Sequence, residues 1–220
     1  MTTLVPGTKV VIKEKMMINI GVLVSGSGTN LLAIIEAVNT GKIDGLIRIV
    51  ISDKYDAFAL RRARFYNIKT NSINPEGFDS REGYDKEIVS ILKEKEIELV
   101  VLAGYMKILS PYFINAFKDK IMNIHPALLP SFPGLHVQKK AIDYGVKVSG
   151  CTVHFVDEGM DSGPIIMQKA VKVKENDTEE TLAKRILKQE HKIYPRAIQL
   201  FAEERLEIIG RKVFIKEKED

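Results

Sequence analysis

The feature that most constrains this chain is the regular alternation of strand-length apolar runs with segments of helical periodicity. Ile18 to Val24 reads as a buried strand. After Ser25-Gly26-Ser27-Gly28-Thr29-Asn30, residues Leu31, Leu32, Ile34, Ile35 and Val38 recur at helical spacing up to Gly41. Leu46 to Ser52 predicts a second strand and Asp56 to Tyr66 a second helix, followed by a short edge-like run from Ile68 to Ile73. Asp79 with Glu82 three residues on predicts a capping box for a helix reaching Glu96, while Leu99 to Ala103 is apolar throughout, as a strand covered on both faces would be. Lys120 to Ile124 predicts the next strand. This order implies an α/β fold: a mostly parallel, Rossmann-like, doubly wound sheet with helices on both faces. Further on, Val137 to Tyr144 predicts a short helix, Ser149 to Val156 and Ile165 to Val173 strands, and Thr178 to Arg205 a long closing helix. Without repeats or an internal low-complexity linker, one domain is expected over 18–206. Residues 1–17 read as an N-terminal extension, which the sequence leaves free to be disordered, and 207–220 as a tail or small hairpin around Gly210.

A chain of 220 residues can bury a sizeable core without a disulfide or a metal. Its 33 lysines and arginines against 29 acids leave a dispersed +4, which gives no argument for nucleic acid but suits anionic small molecules. Cys151 is the one cysteine, so no internal disulfide can form, and its apolar surroundings predict packing rather than nucleophilic duty. A reducing compartment is the expectation. No apolar run reaches membrane-spanning length and Val10-Val11-Ile12 is too short for a secretory core, so a soluble, cytoplasmic protein with no membrane partner is expected.

In such a fold, ligands lie outside the carboxyl ends of the strands where the strand order reverses. With the first and fourth strands flanking that point, the loops Ser25 to Asn30, Ala103 to Leu109 and Asn123 to Pro130 converge on one crevice. Asn123 and His125, two residues apart at a strand end, project to the same side. A neutral amide donor beside a titratable imidazole suits a carbonyl becoming a tetrahedral oxyanion, which makes acyl-type transfer the first reaction class to consider. Read plainly, Asn123 closes a turn and His125 is a satisfied polar residue. Ser25 to Asn30 joins strand to helix, so its N–H groups suit an anion such as phosphate, whereas a tight turn capped by Thr29 or Asn30 is the plain alternative. It lacks the lysine of a Walker A loop and the third glycine of a dinucleotide fingerprint, so neither a nucleoside triphosphate nor NAD is indicated. Between the two later strands, Val156 to Pro164 carries Asp157, Glu158 and Asp161. If Asp161 folds back on His125 it favours the charged imidazole; otherwise the loop is a solvated turn. The spacing fits no EF-hand and no His or Cys accompanies it, so no metal is expected.

Several motifs occur together: Ser25-Gly-Ser-Gly-Thr-Asn30, Ala57-Phe58, Phe78-Asp-Ser-Arg-Glu82, Val101-Leu-Ala-Gly-Tyr-Met-Lys-Ile-Leu-Ser-Pro111, Asn123-Ile-His-Pro-Ala-Leu-Leu-Pro130, Gly150 to Gly163, and Gln189-Glu-His-Lys-Ile-Tyr-Pro195. In this order, from about Ile18 to Leu206, the chain resembles the phosphoribosylglycinamide (glycinamide ribonucleotide) formyltransferase family, folate-dependent enzymes of purine synthesis. The resemblance implies the formyltransferase fold and transfer of the formyl group of 10-formyltetrahydrofolate to the amine of glycinamide ribonucleotide. It implies those two small molecules as partners, and no metal. By similarity Asn123, His125 and Asp161 are the catalytic group. Gly28, Thr29 and Asn30 contact the ribonucleotide, and Glu190 helps hold its glycinamide end. Arg81, Met106, Lys107, Ile108, Leu109 and the Asp157 to Asp161 loop line the folate side. From the residues alone, Arg81 is a solvated first-turn residue, Glu190 an exposed helix charge and His154 a core histidine. Lys107 stands where the family often has arginine, which weakens any bidentate role there, and the residues before Met17 have no counterpart. Asn-x-His-Pro is shared with other formyl-folate enzymes. Methionyl-tRNA formyltransferase, formyltetrahydrofolate deformylase and a non-catalytic nucleotide- or folate-binding module therefore stand as alternatives.

Overall fold

The computed structural model describes residues 17–218, so the expected N-terminal extension lies, but for Met17, outside the described residues. Nine strands form one sheet. They are β1 (Ile18–Val24), β2 (Gly45–Ser52), β3 (Thr70–Ser72), β4 (Leu99–Leu102), β5 (Ile121–His125), β6 (Val148–Phe155), β7 (Ile165–Lys172), β8 (Leu206–Ile209) and β9 (Lys212–Ile215), in the spatial order β3-β2-β1-β4-β5-β6-β7-β9-β8. The pairings from β3 through β5 are all parallel, β6 runs antiparallel between β5 and β7, and β9 joins β7 through the parallel pair Ile165 and Lys212. The sheet is thus mostly parallel, and its order reverses between β1 and β4, as the alternation of apolar patterns implies.

The helices are α1 (Thr29–Asn39), α2 (Phe58–Phe65), α3 (Arg81–Glu94), α4 (Pro111–Ala116), α5 (Val137–Tyr144) and α6 (Glu179–Ala202). Strand alternation divides the core in two. Val22, Val24, Val101, Met122, Ile124, Val153 and Phe155 pack with residues of α1, α2 and α6, whereas Leu23, Ile51, Val100, Leu102 and Ile121 pack with α3 and α4. Asn123 and His125 share the parity of Ile121, so they stand on the α3 and α4 side of β5. His154 and Thr152 stand directly opposite them on β6. On the other side, Tyr194 of α6 is fully buried and its hydroxyl donates to the carbonyls of Leu102 and Met122 at 3.0 and 2.9 Å.

Two local expectations are corrected, and one helix lies where none was expected. The α3 cap is Ser80, whose Oγ accepts from the Gly83 N–H, not Asp79; both residue types cap well, and the hydroxyl meets the amide three residues on. Neither Thr29 nor Asn30 caps α1: its cap position is Gly28, at φ 72°, with no side chain accepting from the first turn. The six residues of α4 begin at Pro111 behind the cap Ser110, a cap and first-turn pair in a stretch too short to show periodicity. Cys151 is fully buried and burial pushes its thiol up to about 12, consistent with packing rather than nucleophilic attack.

Candidate active site

Two of the three loops expected at the crevice meet. Ser25 N–H donates to the Gly104 carbonyl at 3.1 Å, and Ser25 Oγ accepts from the Met106 N–H at 2.9 Å, which joins the turn after β1 to the turn after β4. Gly28 is required there twice over, by its positive φ and because a Cβ would lie 2.6 Å from that of Ala59. This close fit leaves the α1 N-terminus free of side-chain caps, a geometry suited to an anion. In its first turn Asn30 Nδ2 donates to Glu190 Oε2 at 2.8 Å. Glu190 is buried on the face of α6 that carries Tyr194 one turn later, so it is no exposed helix charge, and burial raises its carboxyl above the ordinary range although the Asn30 bond opposes this. Asn30 Oδ1 is buried without a donor. An orphaned acceptor beside a buried carboxyl is suited to a ligand carrying N–H or O–H groups.

On β5, His125 Nδ1 lies 3.3 Å from Asp161 Oδ2, and Nε2 lies 2.9 Å from the Phe132 carbonyl. A carbonyl only accepts, so Nε2 is the donor to Phe132, while the carboxylate of Asp161 stands at ion-pair distance from Nδ1. Asp161 Oδ2 also accepts from the Gly134 N–H at 2.9 Å. The acidic loop therefore does fold back on His125. Asn123 Nδ2 lies 3.2 Å from His154 Nε2, while His154 Nδ1 lies 2.7 Å from the Phe155 carbonyl. Because a carbonyl cannot donate, the His154 proton sits on Nδ1, and its bare Nε2 accepts from Asn123. One amide hydrogen of Asn123 is used in this way and the other remains for a ligand.

His154 is more than a core histidine, since it sets which way the Asn123 amide faces. Burial holds it below the ordinary imidazole range, against the opposing effects of the Phe155 carbonyl and Asp161. The unfolded chain takes up this proton near pH ~6.5 and the folded chain only at lower pH. The resulting stability is present above that value and is lost as pH falls through the folded one. His191, also lowered by burial, acts in the same sense. A plot of Tm against pH should therefore fall below pH ~6.5 less steeply for His154→Gln than for the parent. Equal slopes would remove His154 as a contributor.

The residues expected to line a folate are distributed unevenly. Met106 and Ile108 stand at the rim, 62% and 60% exposed, and Lys107 is exposed between them, whereas Leu109 is buried in the core. Arg81 is exposed on the first turn of α3 and is not brought against the His125 cluster. Asp157 Oδ1 accepts from Ser162 Oγ at 2.6 Å and from the Gly159 N–H at 3.2 Å, so it braces its own loop. Four contributors have no counterpart among the expected residues: the Phe132 carbonyl, the Gly134 amide, Thr152 and Gln168. Thr152 Oγ1 donates to the Ala127 carbonyl at 2.7 Å and accepts from the Leu129 N–H and Gln168 Nε2 at 3.0 Å each, which fixes the loop after His125. Thr152 was within reach of strand parity, being two residues before His154. Among the described residues no group of three or more His, Cys, Asp or Glu gathers to hold a metal, and no helix is long and apolar enough to cross a membrane.

Comparison with known proteins agrees with this fold. The formyl transferase family matches residues 18–198. Phosphoribosylglycinamide formyltransferase of Escherichia coli (strain K12) is 46% identical over 190 residues, covering 86% of this chain and 90% of that protein. The trifunctional purine biosynthetic protein adenosine-3 of Drosophila melanogaster is 45% identical over 183 residues, which are 82% of this chain and 14% of the longer protein. Among solved structures, glycinamide ribonucleotide transformylase 1 from Symbiobacterium toebii superimposes with a TM-score of 0.91 at 51% identity, covering 92% of this chain and 95% of that one.

Proposed function

The chain belongs to the formyl transferase family, and we propose that it transfers the formyl group of 10-formyltetrahydrofolate to the primary amine of glycinamide ribonucleotide. The products are formylglycinamide ribonucleotide and tetrahydrofolate, in de novo purine biosynthesis. The observation that carries the chemistry is the Asn123 amide beside the His125–Asp161 pair on one face of β5. The amine attacks the formyl carbon, a C–N bond forms and the carbonyl oxygen becomes an oxyanion. The free Nδ2–H of Asn123 and an N–H of His125 stabilise that charge. For His125 this means exchanging its bond to the Phe132 carbonyl for one to the substrate. As the C–N bond to the folate nitrogen breaks, the proton lost by the attacking amine is delivered to that nitrogen. Asp161 holds and orients the imidazole. Neither a metal nor a covalent enzyme intermediate is needed.

The ribonucleotide phosphate is assigned to Gly28, Thr29 and Asn30 at the open α1 N-terminus, and its glycinamide end to Glu190 and the Asn30 amide. Arg81, Met106, Lys107, Ile108, Leu109 and the loop from Asp157 are assigned to the folate side. The partners are small molecules, and the protein acts in the cytoplasm. Purified protein with 10-formyltetrahydrofolate should release tetrahydrofolate only when glycinamide ribonucleotide is added, without added metal. Release with no acceptor would instead indicate a deformylase, and release dependent on methionyl-tRNA the tRNA formyltransferase. Tight binding of both small molecules without turnover would indicate a non-catalytic module.

A further inference from the structure

We propose that Arg211, on the turn between β8 and β9, is a positioning residue for formyl transfer, holding from outside the loop that presents Asp161 to His125. The proposal rests on the transfer reaction assigned above and concerns residues beyond the family match at 18–198. The loop from Val156 to Pro164 has no regular structure of its own, yet it must keep one carboxylate fixed. Internal bonds from Ser162 Oγ and the Gly159 N–H to Asp157 brace its first half. Its far stem is seated by Gly163, where a Cβ would fall 1.9 Å from the Phe155 carbonyl oxygen. Between these, Asp161 sits at φ 50°, a conformation a non-glycine residue holds when its surroundings over-determine it. The next carbonyl along, that of Ser162, accepts from Arg211 Nη2 at 2.7 Å. This bond from a charged donor acts on the residue next to the strained one.

The hairpin that delivers Arg211 is well anchored. Leu206, Ile208 and Val213 pack on the α6 side of the core. Across the hairpin mouth, Arg205 Nε donates to the Lys216 carbonyl at 2.7 Å and the Lys216 N–H donates back to the Arg205 carbonyl at 2.8 Å. Lys212, adjacent to Arg211, pairs with Ile165 at the start of β7, just past the loop. Since the hairpin follows α6, it links the helix carrying Glu190 to the loop carrying Asp161. Loss of the guanidinium frees the Ser162 peptide, and Asp161 then leaves His125 for part of the time. The ribonucleotide subsite at the α1 N-terminus is untouched.

Arg211→Ala should lower kcat about tenfold, the scale of one hydrogen bond from a charged donor, with Tm and the ribonucleotide KM nearly unchanged. Arg211→Lys should restore much of the loss, because one donor suffices. In an Asp161→Asn background, Arg211→Ala should have little further effect on kcat. An unchanged kcat in a folded variant overturns the proposal. So does a parallel loss of kcat and Tm that lysine cannot repair, or full additivity with Asp161→Asn. A parent protein that performs no transfer would instead refute the assigned reaction, so the two failures are distinguishable.

Discussion

Replacing Asn123 with alanine should lower kcat by roughly 10²- to 10³-fold, the usual effect of deleting one oxyanion donor, while ligand binding survives. The size follows from where the amide acts. In the ground state it is held by His154 Nε2, and its contribution grows as the formyl oxygen takes on charge. Truncation also leaves His154 Nε2 without its donor, and a modest decrease in Tm should accompany the kinetic loss. Steady-state kinetics with both substrates, together with thermal denaturation, separate the two effects. Turnover near that of the parent would remove Asn123 from the chemistry.

The second large effect is expected for Asp161→Asn, where kcat should decrease by about 10²-fold or more, within the range associated with acid–base groups. Asparagine keeps the shape, and its Oδ1 can still accept from the Gly134 N–H, so the substitution isolates the charge. Without a carboxylate 3.3 Å from Nδ1, the imidazole loses the negative charge that faces it while the Gly134 contact is kept. Steady-state kinetics of parent and variant check this. Turnover near that of the parent would mean that Asp161 serves only as a structural brace.

The sequence made the fold legible wherever burial imposes a period. Leu99 to Leu102 lies between two helical layers and reads as a strand because every residue is apolar, and α5 occupies the span from Val137 to Tyr144 that its spacing predicts. Ends were less legible. Asp79 and Ser80 are both good caps, and which one starts α3 depends on the path of the preceding turn. In the site, strand parity was enough to connect Asn123 with His125, whereas the residues alone left the contact of Asp161 with His125 open and the family resemblance implied the group of three. The Phe132 carbonyl and the Gly134 amide are backbone groups that every residue or nearly every residue possesses, and no letter distinguishes them. Arg211 was hidden differently: in the sequence it belongs to a tail or small hairpin, and the pairing of Lys212 with Ile165 brings it to the loop carrying Asp161.

Tyr194 implies a division of labour across the crevice. Its single hydroxyl hydrogen is shared between carbonyls on two neighbouring strands, and complete burial keeps the phenol protonated far beyond its ordinary value. Widening the gap between β4 and β5 would strand a buried acceptor, so the floor behaves as a gauge block cut to one size. On the folate side proposed above, room for co-substrates of different bulk then falls to exposed side chains such as Met106 and Ile108. Altered co-substrate preference is accordingly to be sought by changing those two side chains, and resistance to such change by examining α6.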